Sequence, residues 1–245
     1  MKKLTTTLTV LTLVAALNAS AQAPRGVNAK LDIDYSNVTL WRGLPSGQDS
    51  ARATLDVKSG GLFGTPISVG ATGQITSQNT QFDPKVSRLG VNTSVDISLA
   101  KELVITPEVG VIRNDLPKVG VFTEAYASIT FKKLLMFEYI AIPTVRYVYN
   151  TTTSKSGAEL ELARPIYLDK IHTTVTPFAG AGVFENYTYV YPGIRADVAV
   201  AKNLSVFGST QLLNSWNQRI VDIHSLAKTQ PRNDLVFNTG VSFNF

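Results

Sequence analysis

Apolar and polar residues alternate along most of the chain with a period of two. From Val27 to Tyr35 the odd-numbered residues are apolar, and the residues between them are polar or charged. Successive side chains of a β-strand point to opposite faces, so this pattern predicts a strand with one apolar and one polar face. The alternation returns at 50–58, 88–99 and 234–245, and no comparable stretch has a helical period. The sequence therefore predicts an all-β fold.

The connections between the alternating segments differ in length on the two sides. Short connections, such as 59–61 and 201–203, alternate with mostly longer ones, above all 217–233. Bacterial transmembrane barrels have an even number of antiparallel strands, short periplasmic turns and longer outer loops. We predict a single closed antiparallel β-barrel of about twelve strands, at 27–41, 50–58, 65–78, 88–99, 103–114, 119–131, 134–149, 157–165, 170–185, 189–200, 204–216 and 234–245.

A soluble β-sandwich is the alternative, because its strands also alternate, with the apolar side facing a second sheet. The polar face of a sandwich is usually rich in lysine and glutamate, whereas Ser, Thr, Asn and Gly dominate the polar face here. Aromatic residues near the predicted strand ends fit the girdles of a membrane barrel. These residues are Phe63, Phe82, Phe131, Phe137, Tyr147, Tyr149, Tyr187, Tyr189 and Trp216.

The first strand changes phase once. Its apolar residues are odd-numbered through Tyr35 and then move to Val38 and Leu40. A shift of one residue indicates a β-bulge, or a strand that leaves the bilayer at this point. We favour a bulge near Ser36 and Asn37.

The N-terminus has the organisation of a bacterial signal peptide. Lys2 and Lys3 precede an apolar stretch at 4–17, and the small residues 19–21 form a cleavage site. We predict cleavage after Ala21, which leaves 22–245 as the barrel; an uncleaved anchor is the alternative. Removal of the two lysines lowers the formal net charge of +5 by two, which leaves too little charge to indicate nucleic-acid binding.

The last eight residues read Asn-Thr-Gly-Val-Ser-Phe-Asn-Phe. This pattern resembles the signal that bacterial outer-membrane proteins present to their barrel-assembly machinery, with its elements at Asn238, Gly240, Phe243 and Phe245. The edge strand of an unfinished barrel is an exposed template for strand addition. The resemblance implies the cell outer membrane as the location, and the assembly machinery, outer-membrane lipid and lipopolysaccharide as partners.

Two further resemblances concern porins. Residues 34–44, Asp-Tyr-Ser-Asn-Val-Thr-Leu-Trp-Arg-Gly-Leu, resemble the opening of TorF-type porins, in which a strand runs into a Tyr/Trp-Arg-Gly turn. This likeness covers the first hairpin alone. The overall size and strand number are similar to those of the twelve-stranded monomeric porins for acidic oligosaccharides, although no motif links the two.

If the apolar face meets lipid, the polar residues line the interior. Acids outnumber bases on this face, and since the charge of a pore sets its ion preference, we expect weak or mild cation selectivity and no oligogalacturonate-type specificity. Neutralisation of Asp32, Asp56 and Asp96 is expected to abolish the preference. The predicted pore-lining residues are Lys30, Asp32, Asp34, Arg52, Asp56, Asp96, Glu108, Glu124, Glu138, Arg146, Arg195 and Asp197, and Lys58, Glu159 and Glu161 share their face.

The predicted function is a small porin-like channel for passive passage of small hydrophilic solutes. Barrels of about eight strands are filled by side chains, and those of about sixteen enclose a channel. A plugged structural or adhesive barrel with ligand-binding outer loops is therefore the alternative. Inward Phe122, Tyr126, Phe178, Phe184 and Phe207 would narrow the interior, and the apolar residues of loop 217–233 suggest that it partly gates the mouth.

No catalytic residue, cofactor or metal site is predicted. The chain has no cysteine and two histidines, His172 and His224, which makes a transition-metal site improbable. His224 lies beside Ser225, but no glycine-flanked nucleophile elbow is present, and the His-x-Ser-Asn-Gly pattern of the twelve-stranded outer-membrane phospholipases is absent. An interfacial lipid-modifying enzyme is therefore the least favoured function. Gly180-Ala181-Gly182 is interpreted as close packing within a strand.

Overall fold

The structure, a computed structural model, describes residues 27–41, 44–60, 67–78, 85–116, 120–134, 141–184, 187–216 and 232–245. Almost all of these residues lie in β-strands, and one short 3-10 turn spans Asp169–Ile171. In chain order the strands are β1 (Val27–Trp41), β2 (Leu44–Ser59), β3 (Ile67–Gln78), β4 (Lys85–Val95), β5 (Ile97–Ala100), β6 (Leu103–Leu116), β7 (Gly120–Leu134), β8 (Ile142–Asn150), β9 (Lys155–Ala163), β10 (Ile166–Leu168), β11 (Thr173–Phe184), β12 (Tyr187–Ala201), β13 (Leu204–Trp216) and β14 (Arg232–Asn244).

The strands form one antiparallel sheet that closes on itself, because β14 pairs with β1. β5 continues β4 beyond Asp96, and β10 continues β9 beyond Pro165, which has no amide hydrogen for the ladder. Two of the fourteen segments thus extend others, so the wall has twelve strands. The predicted all-β closed barrel is confirmed.

The predicted strands all overlap observed ones, but some boundaries differ. The predicted outer loop at 42–49 is wrong, since β1 and β2 stay paired as far as Trp41 and Leu44. The strand predicted at 134–149 is observed as β8, which begins at Ile142, and Leu134 belongs to β7. His172, predicted to lie within a strand, caps the 3-10 turn in a left-handed conformation with φ of 48°. Of the predicted gating loop, 217–231 lie outside the described residues.

The outer surface of the barrel is apolar. Large aliphatic side chains at outward positions are widely exposed, for example Val91 at 62%, Val183 at 59% and Leu235 at 57%. A continuous exposed apolar belt requires a hydrocarbon environment, because water contact with so large an apolar area is unfavourable. The closed barrel with this belt is the fold of a bacterial outer-membrane protein.

The predicted aromatic girdle is partly wrong. Tyr147, Tyr149 and Trp216 are outward and exposed, but Tyr187 and Tyr189 point inward and are 7% and 3% exposed. They occupy odd positions of β12, the face that also carries Arg195 and Asp197. Phe63, Phe82 and Phe137 lie outside the described residues.

No helix in the described part of the chain is both long and apolar enough to cross a membrane.

β1 and β14 meet at the seam that closes the barrel, and at Asn37 their contact changes from backbone pairing to bonds made by a side chain. Backbone pairing of the two strands ends at Ser36 and Asn238. Beyond it, Asn37 Nδ2 donates to the Leu235 carbonyl at 2.9 Å, and Asn37 Oδ1 accepts from the Phe237 N–H at 2.8 Å. The pairing of β1 with β2 shifts only between Thr39 and Leu40. The bulge predicted near Ser36 and Asn37 is therefore wrong for the β1–β2 pair, because the Asn37 carboxamide replaces backbone groups on the β14 side instead.

Candidate functional site

The interior surface carries the chemistry of this barrel. Alternation along β8 defines its direction, since Tyr147 and Tyr149 are exposed outside while Val148 between them is 1% exposed. By the same alternation and by strand register, the structure places inside Lys30, Asp32, Asp34, Arg52, Asp56, Asp96, Glu108, Glu124, Arg146, Arg195 and Asp197. Glu138 lies outside the described residues.

A chain of hydrogen bonds crosses the seam on the inside. Arg52 Nε and Nη2 donate to the two carboxylate oxygens of Asp34, each at 2.8 Å. Arg52 Nη2 also donates to Asn238 Oδ1 at 3.2 Å, and Asn238 Nδ2 donates to Ser209 Oγ at 3.1 Å. These contacts join β2, β1, β14 and β13, so a planar guanidinium links the first strands of the barrel to the last.

Two more ion pairs flank this chain. Lys30 Nζ lies 2.8 Å from Asp32 Oδ2, and Arg195 Nη2 lies 2.6 Å from Asp197 Oδ1. The Arg195 guanidinium also lies 4.0 Å from the centroid of the Phe207 ring. We name Lys30, Asp32, Asp34, Arg52, Arg195 and Asp197 the seam cluster. Each of its carboxylates has a basic partner, so the cluster is close to electrically neutral.

Gly240 makes the close approach at the seam possible. It pairs with Asp34, and a Cβ atom at Gly240 would lie 2.7 Å from Asp34 Cβ and closer still to the Ile33 carbonyl oxygen. Atoms of folded proteins do not pack at such distances, so a side chain would push β1 and β14 apart.

The opposite side of the interior holds its carboxylates with neutral donors. Tyr126 Oη donates to Glu108 Oε1 at 2.7 Å, and Tyr191 Oη donates to Glu161 Oε2 at 2.9 Å. Tyr189 Oη likewise donates to Glu159. These bonds orient the carboxylates without adding positive charge.

One arginine lies among these glutamates. Arg146 Nη1 is 3.7 Å from Glu159 Oε2, and its guanidinium is 5.4 Å from the centroid of the Tyr126 ring. We name Glu108, Tyr126, Arg146, Glu159, Glu161 and Tyr191 the acidic arc. Within the described residues, Glu108 and Glu161 form no ion pair, so this arc carries net negative charge.

The tyrosines of the arc lie flat on the wall because glycines face them. Gly110 pairs with Tyr126, and Gly180 pairs with Tyr191. A Cβ atom at either glycine would be 2.6 Å from Cε1 of the facing ring. The same arrangement recurs at Gly182 under Tyr189, Gly157 under Phe184 and Gly193 under Phe178. Tyr126, Phe178 and Phe184, which were expected to narrow the interior, therefore lie against its wall.

Other inward acids have their own partners. Lys132 Nζ lies 2.8 and 2.7 Å from the two Asp96 carboxylate oxygens, and Thr106 donates to Asp96 at 2.6 Å. Asp56 accepts from Thr72 at 2.6 Å, and Glu124 accepts from Asn114 at 2.9 Å. In the described ranges, no group of three or more His, Cys, Asp or Glu side chains is placed to hold a metal ion.

Sequence reasoning missed Tyr189, Tyr191 and Lys132 as interior residues. Alternation along β12 indicates that both tyrosines face inward, since they occupy odd positions, as do Arg195 and Asp197. Lys132 lies at the register shift of the β6–β7 pair and one residue beyond the predicted strand 119–131, although it shares even positions of β7 with inward Glu124 and Tyr126.

No family model and no curated protein matches the sequence. In fold, the chain is similar to the NanC porin at 9% identity, with a TM-score of 0.54 over 87% of this chain and 98% of that one. It is similar to the KdgM porin at 10% identity, with a TM-score of 0.52 over 88% and 99% of the two chains. An outer-membrane channel from Pseudomonas putida F1 gives 9% identity and a TM-score of 0.52 over 91% and 96%.

The likeness concerns the fold alone, which is that of outer-membrane porins. It supports the architectural comparison drawn from size and strand number. A second KdgM structure, at 9% identity and a TM-score of 0.53, is described in complex with disordered oligogalacturonate. The resemblance of the first hairpin to TorF-type porins stays a prediction.

Proposed function

We propose that the protein is a small porin-like channel for passive passage of small hydrophilic solutes, with a mild preference for cations. One observation carries the proposal: in the acidic arc, Glu108 and Glu161 are held by phenol groups rather than by bases. Fixed carboxylates on a pore wall raise the local concentration of cations and repel anions.

The acidic arc adds Glu108 and Glu161 to the carboxylates expected to set the ion preference, of which Asp56 is also held by a neutral donor, Thr72. Asp32 and Asp96 each lie in an ion pair, with Lys30 and Lys132 respectively. Their negative charge is compensated nearby, so their neutralisation changes the field of the interior less than neutralisation of Glu108 and Glu161.

The same charge argues against acidic sugars as solutes. The KdgM porin shares this fold and is described with an oligogalacturonate. A polyanion requires a track of bases, whereas Arg146 alone among the six acidic-arc residues is basic. We propose that polyanionic oligosaccharides pass poorly.

Planar-bilayer recording tests the proposal directly. Purified wild-type protein is expected to give discrete conductance steps and, in a KCl gradient, a reversal potential on the cation-selective side. Glu108→Gln with Glu161→Gln is expected to move the reversal potential toward the chloride value. The matched control is Asp115→Asn, an exposed carboxylate on the outward positions of β6. A silent wild-type protein, or one that prefers chloride, would contradict the proposal.

A second candidate is a barrel closed at its outer half, which acts through its outer surface. Inward residues at that level are almost fully covered: Ser36, Ser50, Leu213 and Ser215 are 0% exposed and Glu124 is 1% exposed. Such packing favours a filled interior. Folded protein that inserts into bilayers without any conductance step, and that binds cells or matrix components, would support this candidate over the channel.

We propose the export and assembly route from the sequence motifs. Cleavage after Ala21 would release 22–245 for insertion into the outer membrane, with lipopolysaccharide and lipid around it. The terminal motif would engage the barrel-assembly machinery, and its alternation separates Asn238 and Gly240, on the inner face, from Phe243 and Phe245. Intact-mass measurement of the mature protein and replacement of Phe245 test the two steps separately.

We propose no enzymatic activity. The described residues contain no serine with a histidine base in reach, since His172 is exposed in a turn and His224 lies outside the described part.

A further inference from the structure

Tyr126 and Tyr191 occupy space that only glycine leaves open on the facing strand. A Cβ atom at Gly110 would lie 2.6 Å from Tyr126 Cε1 and 2.7 Å from Tyr126 Oη. At Gly180 it would lie 2.6 Å from Tyr191 Cε1. Neither ring can keep its position beside an alanine, because Cβ atoms do not approach other heavy atoms so closely.

Register explains why each ring crosses its glycine. Gly180 on β11 pairs with Tyr191 on β12 and also with Glu161 on β9. The Tyr191 side chain therefore passes over β11 to donate its hydroxyl to Glu161 on the next strand. Tyr126 lies over Gly110 on β6 and donates to Glu108, which is two residues away on that same strand.

A Cβ atom at either glycine would displace the facing tyrosine ring into the barrel interior. The backbone of the glycine strand closes the space on the wall side, and both rings are on the inner face, so displacement moves them toward the barrel axis. A phenol ring that leaves the wall also loses its hydrogen bond to the glutamate. Both changes act on the part of the interior where the acidic arc lies.

We propose that Gly110 and Gly180 are positioning residues that set the free width of the channel. Each provides the space in which a tyrosine lies flat on the wall. The inference rests on the proposed channel function. In this proposal the glycines act by letting the tyrosine rings lie on the wall, and the tyrosines in turn hold Glu108 and Glu161 there.

The test is single-channel conductance, together with the largest polyethylene glycol that still enters and lowers the conductance. The variants are Gly110→Ala and Gly180→Ala, and the same changes combined with removal of the ring, Gly110→Ala/Tyr126→Ala and Gly180→Ala/Tyr191→Ala. The matched control is Gly208→Ala, a strand glycine whose Cβ would find its nearest atom at 4.0 Å. Heat-modifiable mobility on a gel verifies that each variant is folded.

We expect each single glycine variant to lose conductance and to exclude smaller polymers than wild type. Removal of the ring is expected to restore both properties, while Gly208→Ala behaves as wild type. A general structural role for the glycines would not be reversed by deleting a tyrosine ring.

The contrary results are distinct. A silent wild-type protein overturns the channel function itself. A conducting wild type with Gly180→Ala and Gly110→Ala variants of unchanged conductance overturns the inference alone. If the single variants do not fold, the double variants decide: double variants that fold with wild-type conductance support the inference. Double variants that remain unfolded or narrow overturn it.

Discussion

The two sides of the barrel interior hold carboxylates by opposite means. In the seam cluster a base neutralises each carboxylate, as Arg52 does for Asp34 with two contacts of 2.8 Å. In the acidic arc a phenol holds the carboxylate, as Tyr191 does for Glu161 at 2.9 Å. The first arrangement cancels charge and ties strands together, and the second preserves charge while fixing its position.

The difference suggests a division of work between the two sides. Asp34 and Arg52 side chains are 12% and 18% exposed, so their attraction is little screened by water. Arg146 and Glu159 are 37% and 16% exposed and 3.7 Å apart, which makes their ion pair weaker. We expect substitutions in the seam cluster to affect stability, and those in the acidic arc to affect ion passage.

Gly240→Ala is expected to have the largest effect, because it acts on barrel closure. The new methyl group meets the Ile33 carbonyl oxygen and Asp34 Cβ on β1, which is paired with β2 on its other side. The expected loss of stability is about 3 kcal/mol or more, at the upper end for overpacked sites. Urea titration in detergent, followed by heat-modifiable gel mobility, measures it. Gly208→Ala is the control, and equal stability of the two variants would contradict the close approach at the seam.

Arg52→Met against Arg146→Met compares the two sides directly. Loss of Arg52 leaves Asp34 and Asn238 without their shared donor, so we expect a destabilisation of about 2 kcal/mol. Loss of Arg146 is expected to cost under about 1 kcal/mol, because its ion pair is long and partly exposed. The same unfolding titration applies to both variants. If Arg146→Met proved the more damaging, the assignment of closure to the seam cluster would be wrong.

Removal of the Arg146 charge is instead expected to change the ion selectivity of the channel. With Glu108, Glu159 and Glu161 left in place, we expect Arg146→Met to increase the cation preference in a KCl gradient. Arg113→Met, on an exposed outward position of β6, is the control. An unchanged reversal potential would show that solutes do not pass along the acidic arc.

Asn37→Ala should give the smallest effect on stability and refines the description of the seam. The variant loses the bonds to the Leu235 carbonyl and the Phe237 amide, each accessible to solvent, so we expect a loss of about 1 kcal/mol. Amide hydrogen exchange is expected to increase at Phe237 but not at Thr239. Exchange that spreads to Thr239 would mean that Asn37 protects the whole seam.

The fold could be predicted from the sequence because lipid and the polar interior impose the two-residue period directly. The period fails where neither environment requires it. Residues 44–49, Leu-Pro-Ser-Gly-Gln-Asp, do not alternate, so the extension of β2 was missed, although pairing with β1 makes it a strand.

The interior could be predicted only as a face, not as a set of contacts. Alternation gave the inward direction of Arg52 and Glu161, but the partner of each depends on register between distant strands. Arg52 reaches Asn238, which is 186 positions away in sequence, and Glu161 reaches Tyr191 across an intervening strand. Likewise Gly180 and Gly182 were interpreted as sites of close packing, but the sequence did not show which rings pack on them. Tyr189, which packs on Gly182, was expected at the membrane interface, and Tyr191, which packs on Gly180, was given no position.

The early end of the β1–β14 ladder has a consequence for the first hairpin. β1 and β2 remain paired up to Trp41 and Leu44, while the backbone pairing of β1 with β14 ends at Ser36. Beyond Ser36 the hairpin is therefore tied to β14 by the Asn37 side chain rather than by a backbone ladder, at the end of the barrel opposite Val27 and Asn244. We expect a peptide epitope inserted between Trp41 and Leu44 to be stained by antibody on intact bacteria, a result that would assign this end of the barrel to the cell surface.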